Sequence, residues 1–430
     1  MKRDIYQDLL EWKGKSGHKP LVLNGARQVG KTYILREFGK NEYPKVAFFS
    51  LDRDRKAAEV FEKRGASADM MLALSAISQV NITAHDTLVV LDEIQSCPMA
   101  LEALKFFCED MPDIHIMAAG SLLGLSLHGG VSYPVGKTEE LCLYPMTFTE
   151  FLDAMGKTQL ADVLRSANWP VINMLEAELT SLLRQYYYVG GMPAAVLAYT
   201  EQKGLQEVRR IQQQIITDYR RDLSKHAPER EVPRINMAWD SIPAQLAREN
   251  KKFIYGAVKK SARAADFELA LQWLIDAGLA YKVTRVSAPR MPLKFYEDIN
   301  AFKLFMLDVG LMGAMADTSA ESMLIGDNVF SEYKGAFTEL FVFTQLKARG
   351  LPIYYHSAEN STIEIDFITQ WHDTVVPIEV KAEVNVKSKS LRTFIGKHPE
   401  LKGLRLSMKP YQEQEWMVNK PLYAPEAWFC

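Results

Sequence analysis

Eight consecutive residues, Gly25-Ala26-Arg27-Gln28-Val29-Gly30-Lys31-Thr32, constrain this chain more than any other feature. They satisfy G-x-x-x-x-G-K-[ST] at every required position, the pattern of a phosphate-cradling loop. The apolar run Leu21-Val22-Leu23 before them reads as a buried strand, and Tyr33 to Phe38 after them as the first turns of a helix. Strand, glycine loop and helix are the context this motif needs. The glycines let successive N–H groups face an anion, and the helix N-terminus adds its partial positive charge. All eight residues are therefore expected to contact a nucleotide. Lys31 reaches the β- and γ-phosphates, and Thr32 ligates Mg²⁺.

A second signal lies downstream. Thr87-Leu88-Val89-Val90-Leu91-Asp92-Glu93 is an apolar strand ending in two carboxylates. Asp92 at the tip is placed to complete the Mg²⁺ shell, and Glu93 to act as general base on the attacking water. The run Ile114 to Ala119 predicts another strand, followed by Gly120 and Ser121. Ser121 reads either as a sensor of the γ-phosphate or as a helix-capping serine. Further strands are expected at 46–51 and 139–144, and helices near Tyr6–Trp12 and from Thr147. Strands alternating with helices predict a parallel α/β sheet with flanking helices, with its ligand at the strand C-termini.

With 430 residues the chain exceeds one hydrophobic core, and three segments are expected, 1–160, 161–330 and 331–430. The formal net charge of −2 advertises no nucleic-acid partner globally. Four scattered cysteines without a C-x-x-C pair argue against a zinc site or disulfide framework. No apolar stretch is long enough to span a bilayer, and no signal core follows the N-terminus, so a cytoplasmic protein is expected.

The middle segment is mostly helical by periodicity, interrupted by Gly190-Gly191-Met192-Pro193. Arg220 and Arg221 read first as a solvated basic turn, with arginine fingers toward a nucleotide as the sharper alternative. Residues 235–286 suggest three helices and a β-wing, compatible with a winged helix. Lys251, Lys252, Lys259, Lys260 and Arg263 make that stretch locally basic and suited to DNA phosphates.

The last segment carries a third constellation. A helix over 336–349 places Glu339 on the same face as Val342, Phe343 and Leu346, where a bare carboxylate is costly unless a metal or partner compensates it. Ile363 to Ile368 alternates like a strand with Glu364 and Asp366 on one face, and the strand from Val375 to Lys381 carries Glu379 and Lys381 together. Glu339, Asp366 and Glu379 are expected to hold Mg²⁺, with Asp366, Glu379 and Lys381 as catalytic groups for phosphodiester attack.

Taken together, these motifs resemble a family of AAA-like P-loop ATPases that join an N-terminal ATPase core to a C-terminal PD-(D/E)XK restriction-endonuclease-like domain, often with a winged helix between. The resemblance is carried by Gly25–Thr32, Leu91–Gln95, Ala119–Ser121, Gly190–Pro193, the K-L-F-M-L-D-V-G-L run from Lys303 to Leu311, and Pro377–Lys381. It implies an ATPase whose nucleotide cycle controls a nuclease-like domain acting on DNA, or alternatively a nucleotide-switched DNA- or protein-binding module whose nuclease-like domain is inactive. ATP, Mg²⁺, DNA and a second copy or protein partner are the implied ligands; a membrane is not.

Overall fold

In the computed structural model, residues 1–120, 134–248, 251–326, 328–358, 363–382 and 388–429 are described. The chain forms two compact units. One holds residues 2–144 with 276–279; the other holds Met1, 145–275 and 280–430.

The first unit begins with α1 (Ile5–Gly14) and then alternates strand and helix: β1 (Leu21–Asn24), α2 (Lys31–Glu42), β2 (Lys45–Ser50), α3 (Arg55–Glu62), α4 (Ser67–Ser78), β3 (Thr87–Asp92), α5 (Pro98–Asp110), β4 (His115–Ala119) and β5 (Glu139–Cys142). The five strands are parallel in the order β2-β3-β4-β1-β5. β3 and β4 are buried at every position, as a sheet covered on both faces requires. Phe49, Phe61, Met70, Leu74, Val89, Leu101, Leu104 and Phe107 form one core under this sheet. β1 and β3 are separated by β4, so the phosphate-loop strand and the Asp92 strand flank one neighbour.

The second unit opens with helices: α6 (Phe148–Ala154), α7 (Thr158–Arg165), α8 (Trp169–Met174), α9 (Glu176–Val189), α10 (Pro193–Thr200), α11 (Leu205–His226), α12 (Val232–Leu246), α13 (Tyr255–Val258) and α14 (Ala264–Asp276). A complete capping box starts α6: Thr147 accepts from the Glu150 N–H while the Glu150 carboxylate accepts from the Thr147 N–H. There follow β6 (Ala280–Val286), β7 (Glu297–Met306), α15 (Val309–Met315), α16 (Asn328–Ala348), β8 (Ile353–Ser357), β9 (Glu364–Trp371), β10 (Thr374–Lys381), α17 (Lys389–Lys397), β11 (Gly403–Ser407), β12 (Gln412–Glu413) and β13 (Met417–Pro421). They build one mixed sheet, β12-β13-β11-β10-β9-β8-β6-β7. The helix α16 is tied to that sheet by Phe343, which stacks on Phe305 of β7 at 4.7 Å.

The helix–helix–helix–hairpin order expected of a winged helix is present, but the hairpin is not a free wing. β6 continues into the sheet through β8, with Arg285 opposite Tyr355. Strands from the expected 161–330 and 331–430 segments therefore share one hydrogen-bonded sheet. That sheet is α/β and mixed.

The Gly190–Pro193 turn has a physical cause. Gly190 sits at φ +71°, and a Cβ there would stand 2.3 Å from Asp308 Oδ1. A Cβ on Gly191 would stand 2.1 Å from the Met146 carbonyl oxygen. Asp308 accepts from the Gly191 N–H at 2.6 Å and, as N-cap of α15, from the Leu311 N–H at 2.9 Å. The carboxylate is 1% exposed, and burial pushes its pKa up to about 6 against the pull of these N–H donors. Two motifs far apart in sequence are thus one interlocked joint.

Candidate functional site

The phosphate loop lies between β1 and α2 in the first unit. Gly25 has φ +151°, and a Cβ there would meet the Leu143 carbonyl oxygen at 2.4 Å, so only glycine fits. Gly30 caps α2 in the left-handed region at φ +100°, and Gln28 is also left-handed at φ +65°. The loop therefore turns its backbone N–H groups in a curl that ends on the positive end of a twelve-residue helix.

Lys31 is 7% exposed, and its ammonium donates to the carbonyl oxygens of Gly25 at 2.8 Å and Ala26 at 2.7 Å. Burial pushes its pKa down to about 8, with the charges of Glu93 and Asp92 acting in the opposite direction. Thr32 Oγ1 donates to Asp92 Oδ2 at 2.8 Å, which brings together the two residues expected to share Mg²⁺. Asp92 is 4% exposed; burial raises its carboxyl while the Thr32 hydroxyl lowers it. A hydroxyl and a buried carboxylate meeting at a helix N-terminus are a hard-oxygen donor set that fits Mg²⁺. Glu93 sits one residue on, in the left-handed region at φ +53°, and accepts from Gln95 Nε2 at 2.5 Å. Ser121 lies outside the described residues; the strand leading to it, β4, runs between β1 and β3.

One brace was not anticipated. Arg3 is 6% exposed and donates to the Val29 carbonyl oxygen at 2.9 Å and to the Tyr144 carbonyl oxygen at 2.6 Å. It pins the middle of the phosphate loop to the end of the last strand of the unit. A lone arginine at a chain start carries no motif, and only the fold reveals its target. Arg220 and Arg221, weighed as fingers, pair on their own unit with Asp240 at 2.6 Å and Asp218 at 3.8 Å.

In the second unit, the carboxylates and lysine expected to form a metal site do gather, but with additional cations among them. Glu339 on α16 is 5% exposed, and the Lys251 ammonium is hydrogen bonded to its Oε1. Lys303 of β7 is 1% exposed; its Nζ lies 2.6 Å from Glu364 Oε1 and 4.0 Å from Glu339 Oε2. Asp366 accepts from the Val380 N–H at 2.8 Å, and Lys381 Nζ lies 3.2 Å from Glu379 Oε1. Burial, and then the charge of Glu339, pushes Asp366 up to about 7. Glu339 is held down, against burial, by Lys251 and Lys303; Lys303 is held above its ordinary value, against burial, by Glu339, Glu364 and Asp366.

The compensation that a carboxylate on an apolar helix face demands is therefore supplied by lysines. Among the described residues, no group of three or more histidines, cysteines, aspartates or glutamates is placed to hold a metal ion. In this arrangement the expected trio Glu339, Asp366 and Glu379 does not fit a divalent cation, because the ammonium groups of Lys251 and Lys303 meet the carboxylates instead. Lys251 and Lys303 were not among the expected site residues. Lys251 reads from sequence as part of a surface basic stretch, yet its head is turned inward.

Comparison with known proteins finds three separate matching stretches of the chain. Residues 17–152 match the family model described as AAA domain. Residues 180–322 and 334–423 match two domains of unknown function, DUF8612 and DUF4143. No curated protein matches the chain. Among solved structures, the chain is similar to the Walker-type ATPase PABY2304 of Pyrococcus abyssi, at 13% identity over 73% of this chain and 95% of that one, with a TM-score of 0.45. It is also similar to the Aeropyrum pernix ORC1 protein in complex with DNA, at 14% identity over 73% and 91% of the two chains, with a TM-score of 0.28. The Vibrio cholerae protein VC1899 overlaps 95% of this chain and 96% of its own at 10% identity and a TM-score of 0.19. Overlaps this loose say nothing about what this chain binds.

Proposed function

We propose that the AAA-type P-loop domain matched over residues 17–152 binds ATP with Mg²⁺ and hydrolyses it. The observation that carries this is the contact between Thr32 Oγ1 and Asp92 Oδ2 at the mouth of a loop whose lysine is already buried beside it. The loop N–H groups and the α2 terminus bind the phosphate chain, and Lys31 exchanges its carbonyl partners for phosphate oxygens. Thr32 and Asp92 hold Mg²⁺, which when bound neutralises charge on the β- and γ-phosphates. Glu93 takes the proton of the attacking water. The test is Glu93→Gln: ATP binding is retained, and turnover falls by about 10²- to 10⁴-fold. Undiminished turnover removes Glu93 as the base.

A second reading concerns the other unit: the nucleotide cycle controls a nuclease-like site that acts on DNA. It is favoured by the gathering of Glu339, Asp366, Glu379 and Lys381, and by Glu379 Oε2, which is buried with no hydrogen-bond partner. With Lys251 and Lys303 seated among these carboxylates, no cleavage step is derived through a metal. The full chain is assayed for DNA cutting with ATP and with Mg²⁺ or Mn²⁺. Cutting that Asp366→Ala abolishes, with ATPase activity intact, supports the reading. Absence of cutting under every nucleotide and metal condition leaves a nucleotide-switched DNA- or protein-binding module.

A further inference from the structure

Arg3 stands just before α1, and α1 has a fixed seat. Ile5, Leu9 and Trp12 are its buried residues. Tyr6 packs edge-on against Phe38 of α2, with ring centroids 5.3 Å apart, and its hydroxyl donates to Glu42 Oε1 at 2.8 Å. Lys13 Nζ lies 3.3 Å from the other Glu42 oxygen. The helix α1 is thus docked against the helix that follows the phosphate loop, and Arg3 reaches the loop from that base. Its guanidinium spans two carbonyl oxygens, Val29 within the loop and Tyr144 after β5. The same strand end holds the other side of the loop. The Leu143 N–H donates to the Asn24 carbonyl oxygen at 2.8 Å, and the Leu143 carbonyl oxygen stands against Gly25.

The peptide between Val29 and Gly30 is trans and planar, so its carbonyl oxygen and its N–H point in opposite directions. Holding the Val29 oxygen on Arg3 therefore turns the Gly30 N–H away from the guanidinium. Among the described residues, that N–H meets no hydrogen-bond acceptor. Gly30 is the N-cap of α2, where the helix dipole favours an anion. The loop sequence does not secure this orientation by itself. Rotating the peptide changes ψ of Val29 and φ of Gly30, and glycine accepts either sign of φ. A rotated peptide would aim a carbonyl oxygen where the N–H now points, and an anion there would meet a negative pole.

We propose that Arg3 is a positioning residue for nucleotide binding: its grip on the Val29 carbonyl oxygen keeps the Gly30 N–H turned toward the phosphate chain. The proposal rests on the ATP-binding reading of the P-loop and deepens it. Arg3 touches no phosphate; it acts through one peptide. A hydrogen bond from a charged donor belongs to the stronger class, and at 6% exposure little water competes for it.

The experiment takes two readings on the full chain. Binding of ADP and of ATP with Mg²⁺ is measured by isothermal titration calorimetry. Arg3→Met is expected to weaken both nucleotides by the same factor, about 10- to 100-fold, the worth of one charge-assisted hydrogen bond to phosphate. KM for ATP rises with it while kcat changes little, because a bond to a phosphate that is not transferred is worth the same in the ground and transition states. Arg3→Ala is expected to regain affinity with guanidinium ion at non-denaturing concentration, but not with sodium ion at the same concentration. The second reading needs no nucleotide. Carbonyl-¹³C valine with ¹⁵N glycine marks the Val–Gly pairs at 29–30, 135–136, 189–190 and 309–310, and Val29→Ile identifies the Gly30 signal by deleting it. Arg3→Met is expected to move or split that signal. Unchanged ADP and ATP affinity in Arg3→Met overturns the proposal. Weakened affinity with an unmoved Gly30 signal also overturns it, since Arg3 then acts through charge or stability alone. If the wild type binds neither nucleotide, the ATP-binding reading fails, and the Gly30 signal still decides whether Arg3 sets the peptide. If Arg3→Met does not fold, Arg3→Gln replaces it in both readings.

Discussion

Replacing Lys31 with methionine should make the unliganded P-loop unit more stable at neutral pH while abolishing its response to ATP. An ammonium whose pKa is pushed from 10.5 down to about 8 by burial costs about 3 kcal/mol wherever it remains charged in the fold, at about 1.36 kcal/mol per pH unit. The side chain is 7% exposed, so solvent screens little of this. Its removal also deprives the Gly25 and Ala26 carbonyl oxygens of their donor, a loss of about 1 kcal/mol each. The net expectation at pH 7 is a gain of about 1 kcal/mol for Lys31→Met. The sign follows from linkage. Between about pH 8 and 10.5 the unfolded chain binds this proton and the folded one does not, so stability from Lys31 rises with pH over that window. The cost is fully present below about pH 8 and largely relieved by about pH 10. Lys31→Met should then be the less stable protein, by about 1 kcal/mol.

Trp12 is the sole tryptophan in the P-loop unit, so 5-fluorotryptophan labelling and fluorine NMR during urea unfolding follow that unit alone. At a concentration of Mg²⁺-ATP about 100 times its dissociation constant, the wild type should gain about 2.7 kcal/mol and the variant nothing. A variant less stable than wild type at both pH values, or a stability difference that does not change with pH, would refute the argument that burial of the charged lysine is the dominant cost.

The remaining predictions concern the second unit. Asp308→Ala leaves the buried N–H groups of Gly191 and Leu311 without an acceptor and should destabilise the unit by about 2–4 kcal/mol. Denaturant unfolding measures the loss, and faster amide exchange at Gly191 and Leu311 locates it. Lys303→Met removes the buried ammonium from beside the buried Glu339 carboxylate and the half-buried Glu364 carboxylate and should cost about 3–5 kcal/mol, while adding Glu364→Leu should recover part of it in the same unfolding assay. A double variant as unstable as the single one would show that the pair is not the source.

How much of this was legible beforehand depends on the range over which each feature is specified. The inner parallel strands at 21–24, 87–92 and 115–119 follow from short apolar runs bounded by polar residues, because strand burial writes itself into consecutive positions, whereas the edge strand at 139–142 has no buried position to announce it. Glu364 and Asp366, two apart on β9, were placed on one face by the period of two alone. The hairpin at 280–306 misled in part: local pattern announces two strands and a turn, but not that β6 will add to a sheet whose other strands begin at Ile353.

By itself, then, the sequence determined the nucleotide loop at Gly25–Thr32, the carboxylates Asp92 and Glu93, and the alternation of strand and helix around them. Each is encoded by neighbours in the chain, through steric and hydrogen-bonding rules that act over a few residues. Only the tertiary structure decided what compensates charge at a distance. Arg3 on the Val29 carbonyl, Asp308 on Gly191, and Lys251 and Lys303 about Glu339 and Glu364 join residues 26 to 117 positions apart. A lysine solvated on one surface and a lysine buried against a carboxylate look alike in sequence. The desolvation that separates them exists only once the chain has closed around both groups.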